Sequence, residues 1–325
     1  MTSGVTDMPL EELWRHRAPR TCPADFEDFW NQTIESARQA AQPADLRREA
    51  SPVSTVLIEN LTFSGYAGDP IQAQIVRPTT SAPAPAVLQF LDYGEGAGLP
   101  GERLHWASCG YVSVIMDSRG QGTRLTAGHT ADPHGTGPSV PGFMTRGILD
   151  PETFYYRRLY TDALRLVDAV AELPFVDASR IAVTGRGQGG SLALAAAALH
   201  RRVAAAMPCA PLLCDAGRSI VITPQPPITE ITRFLSVHHG REPEVLRTLA
   251  YTDGAELAYR VTIPTYMSTS LMDGVAMPST AFAAFHNLAS QDKSLEVYEH
   301  NAHEGGGYRH WLRQVEWLRE RFGSD

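Results

Sequence analysis

Cysteine is scarce and unpaired in this chain. Cys22, Cys109, Cys209 and Cys214 are its four cysteines, and none forms a C-x-x-C pair. That spacing excludes a disulfide-stapled fold and a cysteine-bound zinc site, and leaves free thiols as the expectation. Basic residues are also in short supply: 28 Lys and Arg face 36 Asp and Glu, for a formal net charge of −8. With no basic block anywhere, a nucleic-acid surface is excluded. The longest apolar runs, such as Leu192 to Leu199, are too short to cross a bilayer. Met1 to Asp7 has no basic start leading into an apolar stretch, so neither a signal peptide nor a membrane partner is expected, and the localisation expected is cytoplasmic.

What is present suits a large globular fold, since 43% of the 325 residues are hydrophobic and 20% charged. In Phe26, Phe29 and Trp30 the spacing i, i+3, i+4 predicts a helix packing on the main body. Strands are expected at Val53–Glu59, Leu61–Tyr66, Ile71–Val76, Ala86–Leu91 and Val112–Met116, the first three as antiparallel hairpins. Thereafter strand and helix alternate: helix Phe154–Leu173, strand Ile181–Thr184, helix Gln188–Leu199 and strand Ala204–Met207. Helical stretches at Thr229–Leu235 and Pro243–Leu249 follow a Pro-rich run, Ile222 to Pro227. Alternation resumes with strand Pro264–Ser268, helix Pro278–Leu288, strand Leu295–Tyr298 and helix Tyr308–Phe322. This order predicts an α/β fold: a mostly parallel sheet, antiparallel strands at its N-terminal end, and helices on both faces. Residues 1–50 are expected as an N-terminal helical extension, and 51–325 as one domain with a helical, Pro-rich insertion near 212–260.

The most informative absence is a single hydroxyl. Gly185-Arg186-Gly187-Gln188-Gly189-Gly190 lies between a short apolar strand and a small-residue helix, the setting in which α/β-hydrolases carry G-x-S-x-G. Here the serine position is Gly187. In such folds the triad follows in chain order nucleophile, acid, histidine, at the carboxyl ends of strands. Asp273, just after the strand Pro264–Ser268, is the candidate acid, and His303, just after Leu295–Tyr298, the candidate histidine. An Asp there would fix the imidazole tautomer and stabilise it once protonated. The oxyanion hole is expected from the backbone N–H of Gln188 and, in the loop Phe90 to Gly96, of Tyr93.

Taken together, these residues resemble the acetyl xylan esterases and cephalosporin C deacetylases of carbohydrate esterase family seven, from about Asp25 to Phe322. The resemblance is carried by Arg119-Gly120-Gln121-Gly122 (R-G-Q-G), by the elbow (G-x-S-Q-G-G), and by Gly142 to Asp150. Leu271-Met272-Asp273 with Pro278-Ser279-Thr280, and His303-Glu304-Gly305-Gly306, complete it. It implies an α/β-hydrolase fold with Asp273 and His303 as acid and base, and with Tyr93 and Gln188 at the oxyanion hole. It also implies deacetylation of small acetylated sugars or cephalosporin-like esters, no cofactor, and a homo-oligomer, commonly a hexamer. The chain departs from the pattern at Gly187, and at Leu91-Asp92-Tyr93 in place of a more usual His-Gly-Tyr. The second change is expected to alter the acyl pocket. Arg119 is expected to organise loops beneath the site rather than to touch substrate.

Without Oγ, His303 has nothing to deprotonate and no acyl-enzyme forms. Three readings of Gly187 stay open: an engineered nucleophile knockout with little normal activity, a natural pseudoenzyme binding acetylated ligands, and a water-based, serine-free hydrolase or acyl-transfer enzyme. Ser191, one helical turn on, is no substitute. A distant alternative reads Gly185-x-Gly187-x-x-Gly190 as a dinucleotide fingerprint, but no carboxylate follows about twenty residues later. No metal is expected: the adjacent His238 and His239 cannot place both rings on one helix face.

Overall fold

A computed structural model describes residues 7–80, 82–135 and 137–323; Met1 to Thr6, read above for a leader, lie outside them. Among the described residues, nine strands form one sheet in the order β1-β2-β3-β5-β4-β6-β7-β8-β9. They are β1 (Asp45–Arg48), β2 (Val56–Ser64), β3 (Pro70–Pro78), β4 (Ala84–Phe90), β5 (Val112–Met116), β6 (Val176–Arg186), β7 (Val203–Cys209), β8 (Thr265–Ser270) and β9 (Lys293–Tyr298). The pairings β1–β2, β2–β3 and β3–β5 are antiparallel, and every pairing from β5 to β9 is parallel. The fold class expected from the pattern is therefore the one observed.

Two differences are instructive. The expected strands 53–59 and 61–66 are one continuous strand, β2, because Asn60 is not a turn residue. It pairs with Arg47 and Gln74 on either side, and its side-chain amide donates to Glu49 Oε1 (2.6 Å). The strand β1 escaped detection because its residues, Asp45-Leu46-Arg47-Arg48, are largely exposed and show no apolar alternation.

Helices cover both faces. On one, the helices Tyr155–Ala171 and Gln188–Leu199 bury Tyr156, Leu159, Leu166, Leu192 and Leu194 against Leu88, Val114 and Val183. On the other, Val315 and Leu318 of the helix Gly307–Phe322 pack with Trp106, Tyr111, Ala182 and Met207. Each such fully buried apolar side chain contributes roughly 1.5–3 kcal/mol before entropy is counted. The helix Phe26–Gln39 buries Phe26, Phe29 and Trp30, and the Trp30 indole N–H donates to the Tyr251 carbonyl (2.9 Å). Four short helices, from Ala216 to Leu257, separate β7 from β8. Among the described residues, no helix is long and apolar enough to cross a membrane.

Candidate functional site

The parallel strands all end at the same edge, and the chemistry-bearing residues leave from those ends. Asp92 and Tyr93 follow β4, Arg119 and Gln121 follow β5, Gly187 follows β6, Asp273 follows β8 and His303 follows β9. This edge is where α/β sheets hold their ligands.

Gly187 has φ 57° and ψ −118°, a conformation costly for any residue with a Cβ. It passes the chain from β6 directly into the helix Gln188–Leu199. Gly189, in the first turn, must also be glycine: a Cβ there would overlap the Phe90 carbonyl of β4. The sharp strand-to-helix turn thus rests on close backbone contact between the end of β4 and the first turn of the helix Gln188–Leu199.

Asp273 and His303 meet. Asp273 is fully buried; its Oδ1 accepts from the Val275 and Ala276 N–H groups (2.8 and 3.0 Å), and its Oδ2 accepts from His303 Nδ1 (2.8 Å). On the far side of the ring, His303 Nε2 lies 3.0 Å from Asp92 Oδ2. A ring between two carboxylates hydrogen-bonds both only when both nitrogens carry protons. Burial pulls the imidazole pKa down, but the hydrogen bonds and charges of Asp273 and Asp92 outweigh it and raise it to about 9. For Asp92 the balance runs the other way: burial alone would raise its pKa, yet His303, Arg186 and the Tyr93 N–H hold it below the ordinary value.

Asp92 is the residue sequence reasoning missed. Its Oδ1 accepts from the backbone N–H groups of Tyr93 (2.7 Å) and Gln188 (3.2 Å), the two donors expected to form the oxyanion hole. A Cβ placed on Gly187 would overlap Asp92 Oδ1 and lie 2.8 Å from Asp92 Cγ and 2.9 Å from His303 Nε2. The carboxylate therefore fills the space a serine side chain at 187 would take. The signal was in the sequence: both departures from the resembled pattern, glycine to Asp at 92 and serine to Gly at 187, fall on residues that touch. Arg186, also missed, brings its Nε to 3.6 Å from Asp92 Oδ2.

The surrounding shell is densely hydrogen-bonded. Gln121 of the R-G-Q-G run accepts from Gly94 N (2.7 Å) and donates to Gln188 Oε1 (2.8 Å) and Tyr155 Oη (2.9 Å), joining the loop after β4 to the elbow. Arg119 is fully buried and binds Asp162 through two nitrogens (2.6 and 2.8 Å), with further pairs to Asp69 and Asp132, so it organises loops as expected. The Tyr93 hydroxyl donates to Glu230 Oε1 (2.6 Å) and accepts from Phe143 N (2.6 Å), which pins the 142–150 segment over the site. Ser191 is no nucleophile: its Oγ accepts from the Leu212 and Leu213 N–H groups (both 3.0 Å) and is buried. The dinucleotide alternative also loses its ground, because the helix N-terminus where a pyrophosphate would sit already holds the Asp92 carboxylate. His238 stacks on Phe234 (ring centroids 4.2 Å), and among the described residues no cluster of three or more His, Cys, Asp or Glu is arranged to hold a metal.

A sheet of this topology, a glycine-flanked elbow after β6, and an Asp–His pair at the ends of β8 and β9 define the α/β-hydrolase class. The acetyl xylan esterase (AXE1) family model matches residues 3–321, so the chain belongs to the acetyl xylan esterase family, whose members are carboxylic ester hydrolases. It is similar to the solved acetyl xylan esterase from Paenibacillus sp. R4, with 35% identity and a TM-score of 0.90 over 96% of this chain and 99% of that one. Acetyl xylan esterase 1 from Thermoanaerobacterium sp. JW/SL YS485 is similar at 32% identity and a TM-score of 0.87, with the same coverage. The acetyl esterase Axe7A of Xylanibacter ruminicola shares 24% identity over 310 residues, covering 92% of this chain and 67% of that protein.

Proposed function

We propose that this chain is a small-molecule hydrolase on the acetyl xylan esterase scaffold that works without a serine acyl-enzyme. Asp273 and His303 are its acid–base pair, and the N–H groups of Gln188 and Tyr93 are its anion-holding donors. One observation carries the reading: the Asp92 carboxylate occupies both the serine side-chain space and those two donors. Loss of a triad nucleophile alone costs on the order of a millionfold in kcat. Here an ester carbonyl would in addition have to displace an anion from the hole. Acetylated sugars and cephalosporin-like esters, the substrates the family resemblance implies, are then bound but barely turned over. A Ser→Gly knockout accounts for position 187 and leaves Asp92 unexplained, whereas a serine-free hydrolase accounts for both. The protein acts as a homo-oligomer in this reading, as the resemblance implies.

The test is hydrolysis of p-nitrophenyl acetate by the chain, by Gly187→Ser, by Asp92→Gly and by the double variant. Only the double variant frees both the hydroxyl and the hole, so it alone is expected to be fast, and His303→Gln in that background should abolish the gain. A Gly187→Ser variant as active as the double one, or a folded but inert double variant, overturns the reading.

A further inference from the structure

We propose that Asp92 is itself the nucleophile of this site, attacking through Oδ2 a saturated carbon that bears an anionic leaving group such as a halide. The proposal rests on the reading of His303 and Asp273 as the acid–base pair. Carboxylates serve as enzyme nucleophiles when oriented and buried, and Asp92 is both: it is only 4% exposed, and hydrogen bonds hold each oxygen. The two oxygens are not equivalent. Oδ1 sits between the Tyr93 and Gln188 N–H groups, whereas Oδ2 faces His303 Nε2 and the Arg186 guanidinium. An acyl carbon is a poor target for this arrangement, because a carboxylate is a far better leaving group than an alkoxide and would be expelled again. The substrate's own oxyanion would also find the hole taken. A saturated carbon needs no oxyanion hole in the first step.

The steps balance. An Oδ2 lone pair forms a bond to carbon as the carbon–halogen bond breaks, and the electron pair leaves as halide, giving a neutral alkyl ester of Asp92. Esterification removes the charge and the acceptor facing His303 Nε2, so the imidazole reverts toward its ordinary basicity and loses its proton to solvent. His303, still oriented by Asp273, then takes a proton from water as the water oxygen adds to Asp92 Cγ. The negative charge of that tetrahedral intermediate falls on Oδ1, already in contact with two N–H donors. Collapse expels the alcohol, which carries the old Oδ2 and receives the His303 proton; the carboxylate keeps the water oxygen, and the remaining hydroxyl proton passes to His303, restoring the starting pair. Net, alkyl halide and water give alcohol, halide and one proton.

Asp92 lines a cavity of about 480 Å³, together with Arg103, Arg186, His310 and Trp311 among others. Three buried nitrogens there make no hydrogen bond: Trp311 Nε1, His310 Nε2 and Arg186 Nε, the last in ionic contact with Asp92 Oδ2 at 3.6 Å. Arg103 and the other arm of Arg186 share Glu95 at 3.5 Å. The cavity is thus a place where a departing anion meets the Trp311 N–H, aromatic walls and two guanidinium groups that share the Glu95 carboxylate.

The experiment uses 1-bromobutane in ¹⁸O-water with the full chain and with His303→Gln, both confirmed folded by circular dichroism. Bromide release is followed, and the peptide containing Asp92 is weighed. Expected results are bromide release by the unaltered chain and its loss in Asp92→Asn. A single turnover should give unlabelled butanol and ¹⁸O in the Asp92 carboxylate. In His303→Gln, a butyl ester should accumulate on Asp92. Label in butanol alone means that water attacks carbon directly, and overturns the proposal. So does the absence of both bromide release and any Asp92 adduct. If Asp92 stays unmodified while Gly187→Ser/Asp92→Gly hydrolyses p-nitrophenyl acetate, only the nucleophile assignment falls. If that variant is inert too, the Asp273–His303 reading falls with it.

Discussion

Replacing Asp92 by Asn tests the electrostatics of the site with almost no change of shape. In the native site the His303 pKa is raised to about 9, because two carboxylates more than offset the cost of burying its charge. The rise from 6.5 is equivalent to ~3 kcal/mol of preference for the imidazolium, at 1.36 kcal/mol per unit. An opposite charge within hydrogen-bond range typically supplies about one to three units. Removing the Asp92 charge, 3.0 Å from Nε2, should therefore lower the His303 midpoint by about one to two units, leaving Asp273 to hold the remainder. The assay is the pH dependence of the His303 imidazole resonances by NMR. The linkage has a definite sign. The folded-state pKa is raised, so the stability contributed by His303 is complete below about 6.5 and is lost as pH rises through about 9. Asp92, with its folded pKa depressed, contributes stability above its ordinary value of 3.8 that is lost as pH falls through the lowered one. Thermal melts should accordingly show a decline between pH 7 and 9 in the native chain that flattens in Asp92→Asn. A native His303 midpoint near 6.5, or one that Asp92→Asn leaves in place, would falsify this account of the site.

Gly187→Ser alone should destabilise the fold by roughly 1–3 kcal/mol, through overpacking against Asp92 and a strained φ, and adding Asp92→Gly should recover much of the loss; chemical denaturation measures both. Arg119→Met leaves Asp162 buried without its guanidinium, while Asp132 keeps Arg158, and should cost about 3–5 kcal/mol in the same measurement. Trp30→Ala opens a cavity under the N-terminal helix and removes a bond to Tyr251, at a cost of about 3–5 kcal/mol; a loss below 1 kcal/mol would mean that this helix docks only loosely.

Much of the architecture was readable because period and punctuation agree. Val112–Met116 and Gln188–Leu199 fall where the apolar run and the glycine turn put them. Asp273 and His303 were legible because chain order and strand ends restrict the choice to few residues. What escaped lacked a local signal. The strand β1 is Arg-rich and paired on one side only, and the short helix His105–Ser108 spans a single turn. Asp92 and Gly187 are 95 residues apart in sequence, and each departure, taken singly, looks like a defect. Their meaning lies in a contact between the loops after β4 and β6, which no window along the chain contains.

The shared space at positions 92 and 187 also constrains history. In a chain of the resembled pattern, with serine at 187 and glycine at 92, an aspartate arriving first would collide with the serine side chain in the tightest part of the turn. A glycine arriving first merely leaves a small void, in a backbone that welcomes it. The glycine-first order avoids that collision, and relatives that have lost the serine but still carry glycine at 92 are the intermediates to look for.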